Sequence, residues 1–123
     1  MKKNIVTIQD QDNLLRRVPF IDPNYVRDDG TLTSLAFSLK RRDDGISVNI
    51  ERLTTYKKSI LNVNRFRLYY LKAKVPRDLG LRCVHEPDYV NNNYAHALLK
   101  GKINRPLSKK LSAAARRINY PSD

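Results

Sequence analysis

The chain has 123 residues, 41% hydrophobic and 29% charged, a composition that predicts one domain around one core rather than a disordered chain. Twenty-four Lys and Arg against twelve Asp and Glu give a formal net charge of +12. Such a field attracts polyanions over roughly 8 Å at physiological salt, so nucleic acid is the expected partner, with an acidic protein, or charge that serves plain solubility, as the alternatives. No apolar run approaches the ~20 residues of a membrane span, so no membrane partner is expected. The start "MKKNIVTIQDQDN" is basic but lacks an apolar h-region, which argues against a signal peptide. The single cysteine, Cys83, rules out an internal disulfide and a cysteine zinc cluster. The expectation is a cytoplasmic protein.

In chain order, residues 1–13 read as a polar tail and 14–120 as a single α+β domain. "LLRRVPF" (14–20) predicts a strand that Pro19 places at an edge or a strand end. "IDPNYVRDDG" carries turn chemistry and closes on Gly30. "TLTSLAFSL" (31–39) has strand composition, with Thr33, Leu35, Phe37 and Leu39 on one face. After the exposed turn "KRRDDG", "ISVNI" alternates with Ile46, Val48 and Ile50 facing in. "TTYKKSIL" predicts a short helix with Thr54 as N-cap.

"NRFRLYYLKAKV" predicts the longest strand, apolar on both faces at its middle and therefore central. "PRDLG" reads as a helical turn, while "LRCVH" and "YAHALL" read as further strands. The closing "PLSKKLSAAARRI" places Leu107, Leu111, Ala114 and Ile118 on one helical stripe, with Pro106 at the helix start. The fold class that follows is α+β: a mixed or antiparallel sheet of five or six short strands, a short central helix and a basic amphipathic C-terminal helix.

Charge is unevenly distributed. Eight of the twelve acids lie between Asp10 and Glu51, whereas Arg52–Arg77 holds eight basic residues and no acid, and Tyr89–Ser122 seven and none. Arg65, Arg67, Lys72 and Lys74 interleave with Phe66, Tyr69 and Tyr70, an arrangement able to hold phosphates and stack bases. Lys100, Lys102, Lys109, Lys110, Arg116 and Arg117 complete the candidate nucleic-acid contacts. A solvated helix face would carry the last four equally well.

Three residues are candidates for chemistry. His96 alternates with Tyr94 and Leu98 in a strand-like run, where it serves either as a core histidine or as a general base. Arg16 shares a face with Leu14, Val18 and Phe20. An inward guanidinium is costly unless paired, so it either awaits an anion or pairs with Asp22 or Asp29, and a bulge would give Arg17 that role. Ser34 is the third. His85, beside Glu86, Pro87 and Asp88, reads as an exposed loop cap whose removal is nearly silent. Histidines eleven residues apart match no metal spacing, so no metal and no cofactor are expected. Ser34, Ser38 and Ser47 lack a Gly-x-Ser-x-Gly elbow, and no Walker loop or GxGxxG occurs.

The stretches "LLRR" (14–17), "DGTLTSLAF" (29–37), "GISV" (45–48), "LGLRCVHEP" (79–87) and "AHALLKG" (95–101), with the alanine-rich closing helix, resemble a family of short bacterial proteins of uncharacterised activity. The resemblance implies that Arg16, Ser34 and His96 belong to one constellation. A more distant likeness is to ADP-ribosyltransferase-like folds, including the RES-type toxins, which place an arginine on a first strand and a Ser/Thr-rich second strand around NAD. Arg16 and "TLTS" would fill those roles, but the late glutamate common in such enzymes has no counterpart between Asp88 and Asp123. The function expected is a small basic nucleic-acid-binding protein, an accessory component of a bacterial mobile or defence locus. The alternatives are a toxin-like enzyme (NAD-consuming or RNA-cleaving) using Arg16 and His96, and a basic adaptor gripping an acidic protein.

Overall fold

The alternation in "ISVNI" is realised as a strand in which Ile46, Val48 and Ile50 are buried and Ser47 faces solvent. The structure, a computed structural model, describes residues 4–22, 24–40 and 43–119. The strands are β1 (Asn13–Pro19), β2 (Ile46–Ile50), β3 (Phe66–Lys72), β4 (Arg82–His85), β5 (His96–Lys100) and β6 (Arg116–Ile118). They form one six-stranded sheet in the order β4-β5-β2-β1-β3-β6, antiparallel at every pairing. Among the described residues three α-helices accompany it: α1 (Tyr56–Ile60), α2 (Lys74–Asp78) and α3 (Arg105–Ala114). This is a small α+β domain.

The two faces of the sheet are covered unequally. On one, Leu14 and Val18, Ile46, Val48 and Ile50, Tyr69 and Leu71, and Ala97 and Leu99 form the main core with Phe37 and with Leu111 of α3. On the other, Leu15 and Leu68 pack with Ile60 of α1, bordered by Phe66, Tyr70 and Ile118. The second cluster covers only the β1, β3 and β6 side of its face, under the five-residue α1. Beside it, around Ser47, Asn49 and His96, that face is lined by polar side chains, and there the site is built.

Three expectations are corrected. "TLTSLAFSL" is not a strand: Ser34–Phe37 form a 3₁₀ turn in which the adjacent Ala36 and Phe37 are both buried while Leu35 is exposed. The Thr33 hydroxyl caps that turn by accepting from the Leu35 amide, and the Ser112 hydroxyl of α3 donates to the Thr33 carbonyl at 2.8 Å. Local capping and packing on α3 thus override the β-branched composition. Second, helix α3 stops at Ala114; Ala115 is extended, and Ile118 lies in β6 beside Leu68 rather than on the helical stripe. The open edge of β3 supplies ladder partners that a further helical turn would forgo. Third, the cap of α1 is Thr55, accepting from the Lys58 amide, and not Thr54.

Of the segment read as a polar tail, residues 1–3 lie outside the described residues, as do Pro23 of the Asp-Pro turn and Arg41 and Arg42 of "KRRDDG". Residues 4–12 are pinned across the domain. Ile8 is buried, Arg77 bonds both the Ile8 carbonyl (2.6 Å) and Asp10 (2.7 Å), and Arg52 pairs with Asp12 at 2.7 Å.

The entry to β2 depends on Gly45. A Cβ there would stand 2.8 Å from the Leu99 carbonyl oxygen and 3.1 Å from Leu98 Cβ, and the backbone oxygen is held in the sheet. Gly45→Ala should therefore destabilise the domain by about 1–3 kcal/mol, as overpacking does. Urea unfolding measures this, and an unchanged midpoint would refute the close approach.

Candidate functional site

The β1–β2 ladder is short. Leu14 pairs with Ile50 and Leu15 with Asn49, and there the register ends, so Arg17 never comes opposite Ser47. The Ser47 carbonyl is left without a strand partner, and the Arg16 side chain takes that place. Arg16 donates from Nη1 to the Ser47 carbonyl at 2.7 Å and from Nε to the Ala36 carbonyl at 2.8 Å, with its guanidinium 6.0 Å from the Phe37 ring centre. Burial, followed by the neighbouring Arg17, pulls its pKa down to about 10, so it remains cationic at neutral pH.

Neither Asp22 nor Asp29 pairs with Arg16. They accept from the Asn24 amide and from Thr31 respectively. The salt-bridge alternative is thereby corrected: the guanidinium is held by carbonyls.

The divergence of β1 from β2 opens a cavity of about 860 Å³ on the sparsely covered face. Its floor is a chain of hydrogen bonds. Asn93 Nδ2 donates to Asn49 Oδ1 (2.9 Å), Asn49 Nδ2 donates to the Ser59 hydroxyl (2.9 Å), and the Ser59 and Thr54 hydroxyls share a bond of 3.1 Å. Arg17 leans over the Phe66 ring at 5.4 Å and donates to the Ser59 carbonyl at 3.0 Å; burial lowers its pKa. Lys58 enters from α1. Three cations (Arg16, Arg17 and Lys58) line the cavity against one carboxylate, Asp88, and among the described residues none of the three cations makes a salt bridge. Asp88 is held below the usual carboxylate range, first by the Asn91 side-chain and backbone bonds.

His96 stands at the rim. Its Nδ1 lies 2.7 Å from the Glu86 carbonyl oxygen, which can only accept, so Nδ1 carries the proton. In the neutral ring Nε2 is then bare and accepts from the Ser47 hydroxyl at 3.1 Å. Arg16 and His96 therefore converge on one residue, Ser47, through its carbonyl and its hydroxyl. Ser34 does not line the cavity; it sits in the 3₁₀ turn, where its carbonyl accepts from the Ser38 hydroxyl.

The basic residues singled out from sequence are dispersed. Lys72 and Arg116, the latter opposite Tyr70, share the cavity's face by register. Arg67 and Arg117 fall on the opposite face by the same register, Arg67 over Phe20 at 4.6 Å, and Arg65 lies over Phe66 at 5.5 Å. Lys109 and Lys110 are exposed on α3, which packs on the main-core side, and Lys102 is exposed in a loop. Lys74 is paired with Asp78 at 2.9 Å, and Lys100 with Asp44 at 2.9 Å and Glu86 at 3.5 Å. Sequence reasoning passed over Asn49, Lys58, Ser59 and Asn93 as site residues. The signal available was the polar outward half of "ISVNI".

His85 is not an exposed cap. It is buried at the end of β4, accepts from the Val6 amide at Nδ1 (2.9 Å) and donates from Nε2 to the Tyr94 carbonyl (2.7 Å). The docked N-terminal segment covers it, and nothing in its polar neighbours announced that. Among the described residues no three His, Cys, Asp or Glu side chains are grouped to hold a metal ion. Cys83 is half-buried, and burial pushes its thiol pKa up. No helix among the described residues is long and apolar enough to cross a membrane.

Scans against protein-family models, curated proteins and solved structures return no match.

Two outcomes follow from these contacts. Arg16→Met should cost about 1–3 kcal/mol, the range for losing hydrogen bonds from a charged donor, and Arg16→Lys should not restore it, because an ammonium cannot replace the planar fork spanning two carbonyls. Urea melts decide this. His85→Ala should cost a similar ~1–3 kcal/mol and expose residues 4–8 to protease, since it removes a buried acceptor and a donor together. A silent substitution would detach the N-terminal segment from the fold.

Proposed function

We propose that this protein binds single-stranded nucleic acid on the open face of its sheet, with the cavity between β1 and β2 as the phosphate-holding centre. The observation that carries this reading is the cavity's charge: three cations, none of them in a salt bridge among the described residues, line it with a single acid. Around it, no strand position on that face is an acid, and Phe66 and Tyr70 lie along it beside Arg17, Lys72 and Arg116. Cations that track a backbone beside rings that stack on bases are the usual means of gripping a single strand. A concave face admits a strand, whereas reading a duplex calls for a protruding helix or ribbon. The Asn91–Asn93 stretch at the rim offers amides that bond base edges or sugar hydroxyls.

An acidic protein segment would be drawn by the same charges but would have no use for the rings. Three neutralised phosphates on a single strand give a log–log salt slope of about −2. Retention of an oligonucleotide should follow that slope. Lys58→Glu should weaken it about tenfold or more, and the pair Lys109→Glu and Lys110→Glu, on the far layer, should leave it within about twofold. Binding indifferent to salt, or lost only through the α3 pair, would overturn the reading.

A further inference from the structure

The open face carries an arrangement that binding alone does not require. Ser47 projects from the middle of β2 into the cavity with its hydroxyl 3.1 Å from His96 Nε2, and the Glu86 carbonyl holds the opposite ring nitrogen at 2.7 Å. A hydroxyl, a base within reach of its proton and a third group fixing the base are the three parts of an activated serine. The third part is usually a carboxylate; a backbone carbonyl fixes the same tautomer and orientation. The Ser47 backbone is itself held, because its carbonyl accepts from Arg16 at 2.7 Å. The hydroxyl is solvent-facing and lies in the same cavity as Arg16, Arg17 and Lys58.

We infer that Ser47 is a nucleophile, with His96 as its general base, acting on a phosphodiester held by the cavity's cations. The choice of substrate class rests on the nucleic-acid reading above; the nucleophile rests on the geometry. In the step, the Ser47 hydroxyl proton passes to His96 Nε2 as Oγ bonds to phosphorus. The P–O bond to the leaving alkoxide breaks, and that alkoxide takes the proton from Nε2. Water then attacks the phosphoseryl diester with His96 again accepting the proton, the P–Oγ bond breaks, and the proton returns to Oγ. No electron is lost or gained and water is the only co-reactant. Because the nucleophile belongs to the protein, the step needs no 2′-hydroxyl, and DNA and RNA are both chemically competent. Cations lining the cavity meet the charge that develops on the phosphoryl oxygens.

The test is covalent labelling of the full chain with an alkyl fluorophosphonate, read by peptide mass spectrometry. An activated serine displaces fluoride and keeps the phosphonyl group. The expected result is an adduct on Ser47, absent in Ser47→Ala and slowed about 100-fold or more in His96→Gln, which can still bond the hydroxyl but cannot take its proton. Circular dichroism of both variants confirms that each is folded. A saturating single-stranded oligonucleotide should protect Ser47 from the label. Failure of folded wild-type protein to label at Ser47 overturns the nucleophile, as does labelling at the wild-type rate in His96→Gln. Labelling that a bound oligonucleotide does not slow overturns the substrate class. Oligonucleotide retention measured on the same preparation separates these results from a failure of the binding reading: without retention that reading falls, while the Ser47 adduct stands by itself.

Discussion

Arg16 donates one hydrogen bond to the Ala36 carbonyl and another to the Ser47 carbonyl, and those two contacts tie the 3₁₀ turn to β1 and β2 at the point where the β1–β2 ladder has ended. Beyond Leu15 and Asn49, strands β1 and β2 no longer pair. A sheet interrupted at its centre exposes backbone groups that must be satisfied in some other way. The guanidinium satisfies one of them and, through Nε, also anchors the 3₁₀ turn that carries Phe37 into the core. Its rigid fork suits it to bridge two acceptors, and its low hydration energy relative to an ammonium makes partial burial tolerable.

The opening that Arg16 spans sets the character of the two faces. On the main-core side, α3 and the 3₁₀ turn pack on the sheet through Leu111 and Phe37, the latter 6.0 Å from the Arg16 guanidinium. On the other side, α1 packs on Leu15 and Leu68 and meets Asn49 through the Ser59 hydroxyl, while Ser47 stays exposed and His96 half-buried at the rim. The polar chain from Asn93 through Asn49 and Ser59 to Thr54 then fixes the floor. Each member bonds the next, which holds side chains of three separate segments in one geometry.

The two histidines illustrate how the same side chain is assigned different work by its surroundings. His85 is bonded at both nitrogens to backbone groups and is covered by residues 4–8, so it serves to close the β4 end of the sheet. His96 is bonded to the backbone at only one nitrogen, and its other nitrogen meets a hydroxyl that faces solvent. The backbone partner leaves Nε2 as the one free to exchange a proton with Ser47.

The amino-acid sequence by itself determined the class of the fold, the strands in "ISVNI" and "LRCVH", the strand in "YAHALL" from His96 onward though not at Tyr94 and Ala95, the cationic surface and the odd inward position of Arg16. Each of these is written in local periodicity or in composition, which adjacent residues settle among themselves. It also brought Arg16 and His96 forward as a pair. The tertiary structure alone decided that Ser47 joins them and that Ser34 does not. Contact between β2 and β5 is a matter of register, and a register one residue off would have turned Ser47 into the core. It alone turned "TLTSLAFSL" into a capped turn, because Phe37 and Ala36 had α3 to pack against, and it ended α3 at Ala114, because β3 offered an unpaired edge. The burial of His85 was likewise decided by a segment 79 residues away, at Val6, a distance over which no local pattern carries information.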